Sequence, residues 1–295
     1  MPLPTPEPIL RIAPTGTQRA TLLFVPPLFE EANRTRRTLV LAMRALARHG
    51  LAAVLPDLPG QNESLVPLDQ TDLHRWQEAL AEVSATLDGP VIIASLRGGA
   101  LIDHLASAAA WWRLAPIGGA SLLRTLMRAR VAADREAGLT SSLDSLQAEA
   151  ATAPLLLAGN LLSPAMMGQL GSAAVEPVAP LRTVTLGSGA DAIAGTPLWL
   201  RAEPGEDGAM AEAIAADIAA FEASGRGVTR PDLWDTPAAK DAVAASLSEP
   251  APGELEALAV ARDHDARGVD RHDLAVEPAT GGLAVDADRR RHQHR

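Results

Sequence analysis

The chain contains no cysteine. That excludes disulfides, a thiolate nucleophile and cysteine-ligated zinc, and it suits a reducing compartment. Basic charge is also short, with 26 Lys and Arg against 36 Asp and Glu and a formal charge of -10. Binding to nucleic acid needs clustered cations against phosphate, so nucleic acid is not an expected partner. No apolar run approaches the ~20 residues that span a bilayer, so no transmembrane segment is expected. Met1-Pro2-Leu3-Pro4-Thr5-Pro6 lacks the basic and apolar regions of a secretory signal, which makes the cytoplasm the expected location. Neither a metal ion nor a cofactor is expected.

What the chain has is apolar substance. Nearly half of its 295 residues are hydrophobic (47%), enough to bury the core of one large domain. Ala20 to Val25 reads as a central strand that ends at Pro26-Pro27, where a proline can sit only at the exit. From Asn33 to Arg48, Leu39, Met43 and Leu46 fall at helical spacing, with arginines on the other faces and Gly50 as a C-cap. Further strands are predicted at Leu51 to Leu55, Val91 to Leu96, Trp112 to Ile117, Leu181 to Leu186 and Pro197 to Glu203. Helices are predicted over Thr71 to Leu87, Leu122 to Ala137, Ser163 to Leu170 and Met210 to Ala223. Short apolar runs alternating with amphipathic helices imply βαβ crossovers and a mostly parallel sheet with helices on both faces. The strand rhythm stops between about 118 and 180. Residues 249–295 turn to Pro, Gly, Asp, Arg and His, a composition with too few apolar groups to offset the entropy of ordering, and read as a disordered tail.

The most informative stretch is Val91-Ile92-Ile93-Ala94-Ser95-Leu96-Arg97-Gly98-Gly99-Ala100, a buried strand running into a glycine turn. This is the outline of a nucleophile elbow, G-x-S-x-G, which presents a serine on a strained strand-to-helix turn. With its last glycine at Gly99, the apex is Arg97. No histidine occurs between His104 and His264. Hydrolysis by a serine needs an imidazole to take its proton, so both atoms of that chemistry are out of place.

Three sets of residues together resemble one family. They are Phe24-Val25-Pro26-Pro27-Leu28-Phe29-Glu30-Glu31-Ala32-Asn33, Leu55-Pro56-Asp57-Leu58-Pro59-Gly60, and the Leu96-Arg97-Gly98-Gly99-Ala100 elbow. Leu114-Ala115-Pro116, Ala158-Gly159-Asn160-Leu161-Leu162-Ser163-Pro164 and Asp232-Leu233-Trp234-Asp235-Thr236 point the same way. From Leu22 to Leu247 the chain is similar to the exosortase A system-associated hydrolase 2 family. The resemblance implies an α/β-hydrolase fold over residues 1–248, with a helical lid insertion at about 118–180 after the sixth strand. It also implies a place in exopolysaccharide biosynthesis and envelope protein sorting. Partners would be an envelope-polymer intermediate or another small molecule, and exosortase-system proteins.

Each candidate site residue carries two readings. Arg97 at the apex can capture a carboxylate or phosphate bidentately, or pair with Glu30 or Glu31 on the loop after the first strand. Ser95 is the one alternative nucleophile. Two residues before the apex, however, its side chain follows the strand's pleat and reads as a small group packed beneath the elbow. Asp57 lies at the sheet's carboxyl edge, where α/β proteins bind ligands, or caps a turn. Leu28, Leu96 and Gly98 complete the expected pocket. His104 reads as a packing histidine on the helix after the elbow, and Glu203, Glu206 and Asp207 as solvated carboxylates. Arg124, Arg128 and Arg130 read as a solvated helix face, with an anionic ligand or membrane surface as the other reading. The resulting expectation is a hydrolase-fold protein without a working Ser-His-Asp triad. The alternative is an active esterase or thioesterase using non-standard residues.

Overall fold

A computed structural model describes residues 7–225. Seven strands form the main sheet: β1 (Ile9–Ile12), β2 (Ala20–Val25), β3 (Leu51–Pro56), β4 (Val91–Leu96), β5 (Ala110–Leu114), β8 (Leu181–Leu186) and β9 (Ala192–Ile193), in spatial order β1-β3-β2-β4-β5-β8-β9. All neighbours run parallel except β1, which lies antiparallel to β3. Every residue of β2, β3, β4 and β5 is buried, which is why these strands are unbroken apolar runs: helices cover both faces.

The pleat divides the core. Leu22 and Phe24 of β2 join a cluster with Leu39, Met43 and Leu46 of α1 (Glu30–Arg48) and Ile214 and Ile218 of α6 (Gly208–Ala223). Leu23 and Val25 join a second cluster on the other face, with Trp76 and Leu80 of α2 (Leu73–Ala85). The chain between β5 and β8 completes that second cluster. It consists of α3 (Gly119–Glu136), α4 (Leu143–Ala150), the hairpin β6 (Leu155–Leu157) and β7 (Asn160–Leu162), and α5 (Pro164–Ser172). Leu122, Leu126, Met166 and Leu170 from this insertion are all buried against the sheet. A central strand pair β2–β4 flanked by crossovers to β3 and β5, with a strand-to-helix elbow at the end of β4, is the topology of the α/β-hydrolase fold.

Several expectations need correction. Glu30 and Glu31 are the first two residues of α1 and not a loop, because the strained turn at Phe29 (φ 59°, ψ -135°) lets the helix start directly at Glu30. The strand at Trp112 begins earlier and stops at Leu114, since Ala115 adopts a left-handed φ of 45°. Pro197 to Glu203 is no strand. Only a 3-10 turn forms, Leu198–Leu200, and Leu198 and Trp199 are buried without joining the sheet. The insertion follows the fifth strand among the described residues, not the sixth. The elbow leads into a short 3-10 segment, Arg97–Leu101, so His104 lies beyond it in a turn and not on a helix. Residues 249–295, and the motif at Asp232–Thr236, lie outside the described residues.

Candidate functional site

At the carboxyl edge of the sheet, β4 ends at the fully buried Leu96 and the chain turns sharply at Arg97, whose φ is 53°. Positive φ at a non-glycine apex is the strain that defines a nucleophile elbow. Gly99 makes the turn possible. A Cβ there would sit 2.6 Å from the Pro26 carbonyl oxygen and 2.7 Å from that of Val25, so only glycine lets the exits of β4 and β2 approach. Gly98 is similarly closed, with Leu122 of α3 and Leu28 packed against it.

The apex side chain is held by several contacts. Arg97 Nε donates to Glu31 Oε2 at 3.2 Å and Nη2 to Glu31 Oε1 at 3.3 Å, while Nη1 donates to the Ala115 carbonyl at 3.3 Å. The guanidinium carbon stands 4.7 Å from the centre of the Trp199 ring, a cation–π arrangement. Trp199 is held in turn by Arg34, whose Nη1 donates to its carbonyl at 2.8 Å. Of the five N–H groups of an arginine, three are thus directed at protein oxygens. Phe29, Arg97 and Ala115, all left-handed, supply the helix start, the cation and the accepting carbonyl of one cluster. Three such residues together store strain of about 1–3 kcal/mol each.

The cluster is close to neutral and its carboxylates are unusual. Burial pushes the Glu31 carboxyl up, against hydrogen bonding and attraction from Arg97. Burial also raises Glu30, and repulsion from Glu31 adds to it. Glu30 Oε2 is buried and has no hydrogen-bond partner among the described residues.

Ser95 lies below the apex, wholly buried, and its Oγ donates to Asp103 Oδ2 at 2.6 Å. Asp103 receives Arg113 Nε on the same oxygen at 2.9 Å and Nη2 on Oδ1 at 2.6 Å. Arg113 Nη1 reaches the Glu176 carbonyl at 2.8 Å, and Trp111 Nε1 donates to the Asp103 carbonyl at 3.1 Å. Asp103 is 0% and Arg113 2% exposed, so this ion pair lies entirely inside the protein. Sequence reasoning missed both partners. A charge inside Trp111-Trp112-Arg113-Leu114 was the available signal, because a buried cation demands a buried anion.

The remaining candidates are dispersed. Asp57 accepts Arg36 Nη1 at 3.0 Å and Asn62 Nδ2 at 2.9 Å, tying α1 to the turn after β3. His104 Nδ1 is buried without a partner among the described residues. Glu203 is exposed, Glu206 pairs with Arg37, and Asp207 caps α6 by accepting Met210 N at 2.9 Å. The geometry therefore gathers Leu28, Glu30, Glu31, Leu96, Arg97 and Gly98 at one edge and leaves Asp57 in a cluster of its own.

No protein-family profile matches this chain, and no curated protein sequence does. Among solved structures it is similar to Est1E from Butyrivibrio proteoclasticus, solved with ferulic acid, with a TM-score of 0.42 and 17% identity over 57% of this chain and 68% of that one. Alpha/beta hydrolase domain-containing protein 10 from mouse aligns at TM-score 0.40 and 13% identity over 60% and 71%. XC6422 from Xanthomonas campestris, an α/β serine hydrolase without lid, aligns at 0.33 and 18% over 37% of this chain; the match spans about half of that protein, 55%. Strand order and elbow geometry, and not these partial overlaps, fix the fold. Among the described residues no helix is long and apolar enough to cross a membrane.

Proposed function

We propose that this protein is a non-hydrolytic member of the α/β-hydrolase fold, related to the exosortase A system-associated hydrolase 2 family. It serves exopolysaccharide biosynthesis and envelope protein sorting as an accessory or binding protein. The observation that carries this reading is the apex of the elbow, where a nucleophile would stand: it holds a guanidinium clamped on both oxygens of Glu31 and stacked on Trp199. A cation so neutralised neither attacks a carbonyl nor accepts a proton. Ser95 supports the same reading, since its hydroxyl is buried and directed at an aspartate.

Ligand capture at this edge works through exchange. An incoming carboxylate or phosphate competes with Glu31 for Arg97.

Incubation with a fluorophosphonate probe and short-chain nitrophenyl esters tests the first half: neither labelling nor turnover is expected. Labelling of Ser95, or turnover abolished by Ser95→Ala, overturns it. Deleting the gene and measuring surface polysaccharide tests the second half; unchanged polysaccharide and unchanged envelope sorting overturn the family link.

A further inference from the structure

We propose that the insertion between β5 and β8 docks this protein on an anionic bilayer surface. The starting observation is charge. In a chain of formal charge -10, α3 carries Arg124, Arg128 and Arg135 on one exposed stripe. Their spacing of four and seven residues places them on the same face of the helix. None of the three has a hydrogen bond or ion pair among the described residues, unlike Arg130, whose Nε is held by Asp134 at 2.7 Å. Of the two acids of α3, Asp134 is buried and Glu136 exposed.

The same insertion also exposes apolar surface. Leu139, Leu156 and Leu161 are 60%, 50% and 42% exposed. Leu156 and Leu161 are cross-strand partners in the β6–β7 hairpin, so both leucines lie side by side on its outer face while Leu155, Leu157 and Leu162 face the core. A continuous chain of contacts ties the leucines to the helix. Leu139 N donates to the Asp134 carbonyl at 2.8 Å, the Asp134 carboxylate holds Arg130, and Arg130 Nη1 donates to the Leu156 carbonyl at 2.8 Å.

Unpaired arginines and exposed leucines carried by one insertion match what a headgroup region offers: anionic phosphates for the guanidinium groups and an acyl boundary for the apolar side chains. A protein partner would call for an aromatic centre, and the exposed patch has none among these residues. An interface of this composition is reversible and weakened by salt.

Flotation of the full chain with vesicles is the test. Binding is expected to phosphatidylcholine vesicles containing about 30% phosphatidylglycerol, not to pure phosphatidylcholine, and to be lost at about 0.5 M salt. The R124E/R128E/R135E variant is expected to bind on the order of 100-fold more weakly. L156S/L161S is expected to bind several-fold more weakly, and the exposed α1 variant Arg44→Glu to match wild type. All these positions are on the surface, and circular dichroism checks that each variant folds. Equal binding to neutral vesicles, no binding to either kind, or an unaffected triple variant overturns the proposal, as does retention on an acidic polysaccharide without vesicle binding.

Discussion

The guanidinium of Arg97 straddles the carboxylate of Glu31, with one nitrogen on each oxygen at 3.2 and 3.3 Å, at the point where the chain leaves the central strand. The pair converts a strained turn into a closed contact between the elbow and the start of α1. Arg97→Ala leaves Glu31, whose side chain is 5% exposed, without its counter-ion. We expect a loss of about 3 kcal/mol in urea denaturation. Arg97→Gly should lose about 1 kcal/mol less, because glycine adopts the φ of 53° without strain.

The buried pair beneath the elbow sets a larger expectation. Arg113→Met removes the cation that faces Asp103 at 2.6 Å and strands an anion of 0% exposure. A loss of about 3–5 kcal/mol follows, and replacing Asp103 by asparagine in the same chain should recover part of it. Ser95→Ala removes one donor to the same carboxylate and should cost about 1–3 kcal/mol. Thermal melts of the three variants would expose the ordering; equal melting temperatures contradict it.

Glycine substitutions separate close approach from chain entropy. At Gly99 a methyl would meet two backbone oxygens that cannot move aside, so Gly99→Ala should destabilise by more than about 2 kcal/mol. At Gly168, within α5 and with nothing within 4 Å of the added carbon, alanine should stabilise by about 0.5–1 kcal/mol. Denaturant midpoints in one buffer would read both.

The pH dependence follows from Glu30, whose carboxyl is raised above its ordinary value of 4.5 mainly by burial. A raised carboxyl means that the folded chain holds a proton that the unfolded chain has released. Stability from this group is therefore present below pH 4.5 and falls as pH rises through the folded-state value. Glu30→Gln, which mimics the protonated form, should melt higher than wild type at pH 8 and equally at pH 4. A difference that grows toward low pH would contradict the assignment.

Much of the architecture was legible because central parallel strands must be apolar throughout. β2, β3 and β4 fall where apolar runs place them, β8 at the more polar Leu181–Leu186, and α1, α2 and α6 where leucines and alanines recur at helical spacing. What escaped was short or polar. β1 has four residues with two exposed, β9 has two, and the β6–β7 hairpin strands have three each. Such segments carry too few periods for a pattern to show. Leu198-Trp199-Leu200 misled through hydrophobicity alone, since Trp199 is buried against Arg97 and not in the sheet. Arg97 at the apex was readable from glycine spacing. Its choice of Glu31 needed coordinates, because the start of α1 depends on an unusual backbone angle at Phe29.

The brevity of the turn after β4 has a last consequence. In a hydrolase a multi-turn helix begins at this point, and its aligned peptide dipoles place positive potential where negative charge develops. Here a single 3-10 turn, Arg97–Leu101, takes its place. Arg97→Ser would therefore supply a hydroxyl to a corner with no multi-turn helix behind it, while removing the guanidinium that balances Glu31.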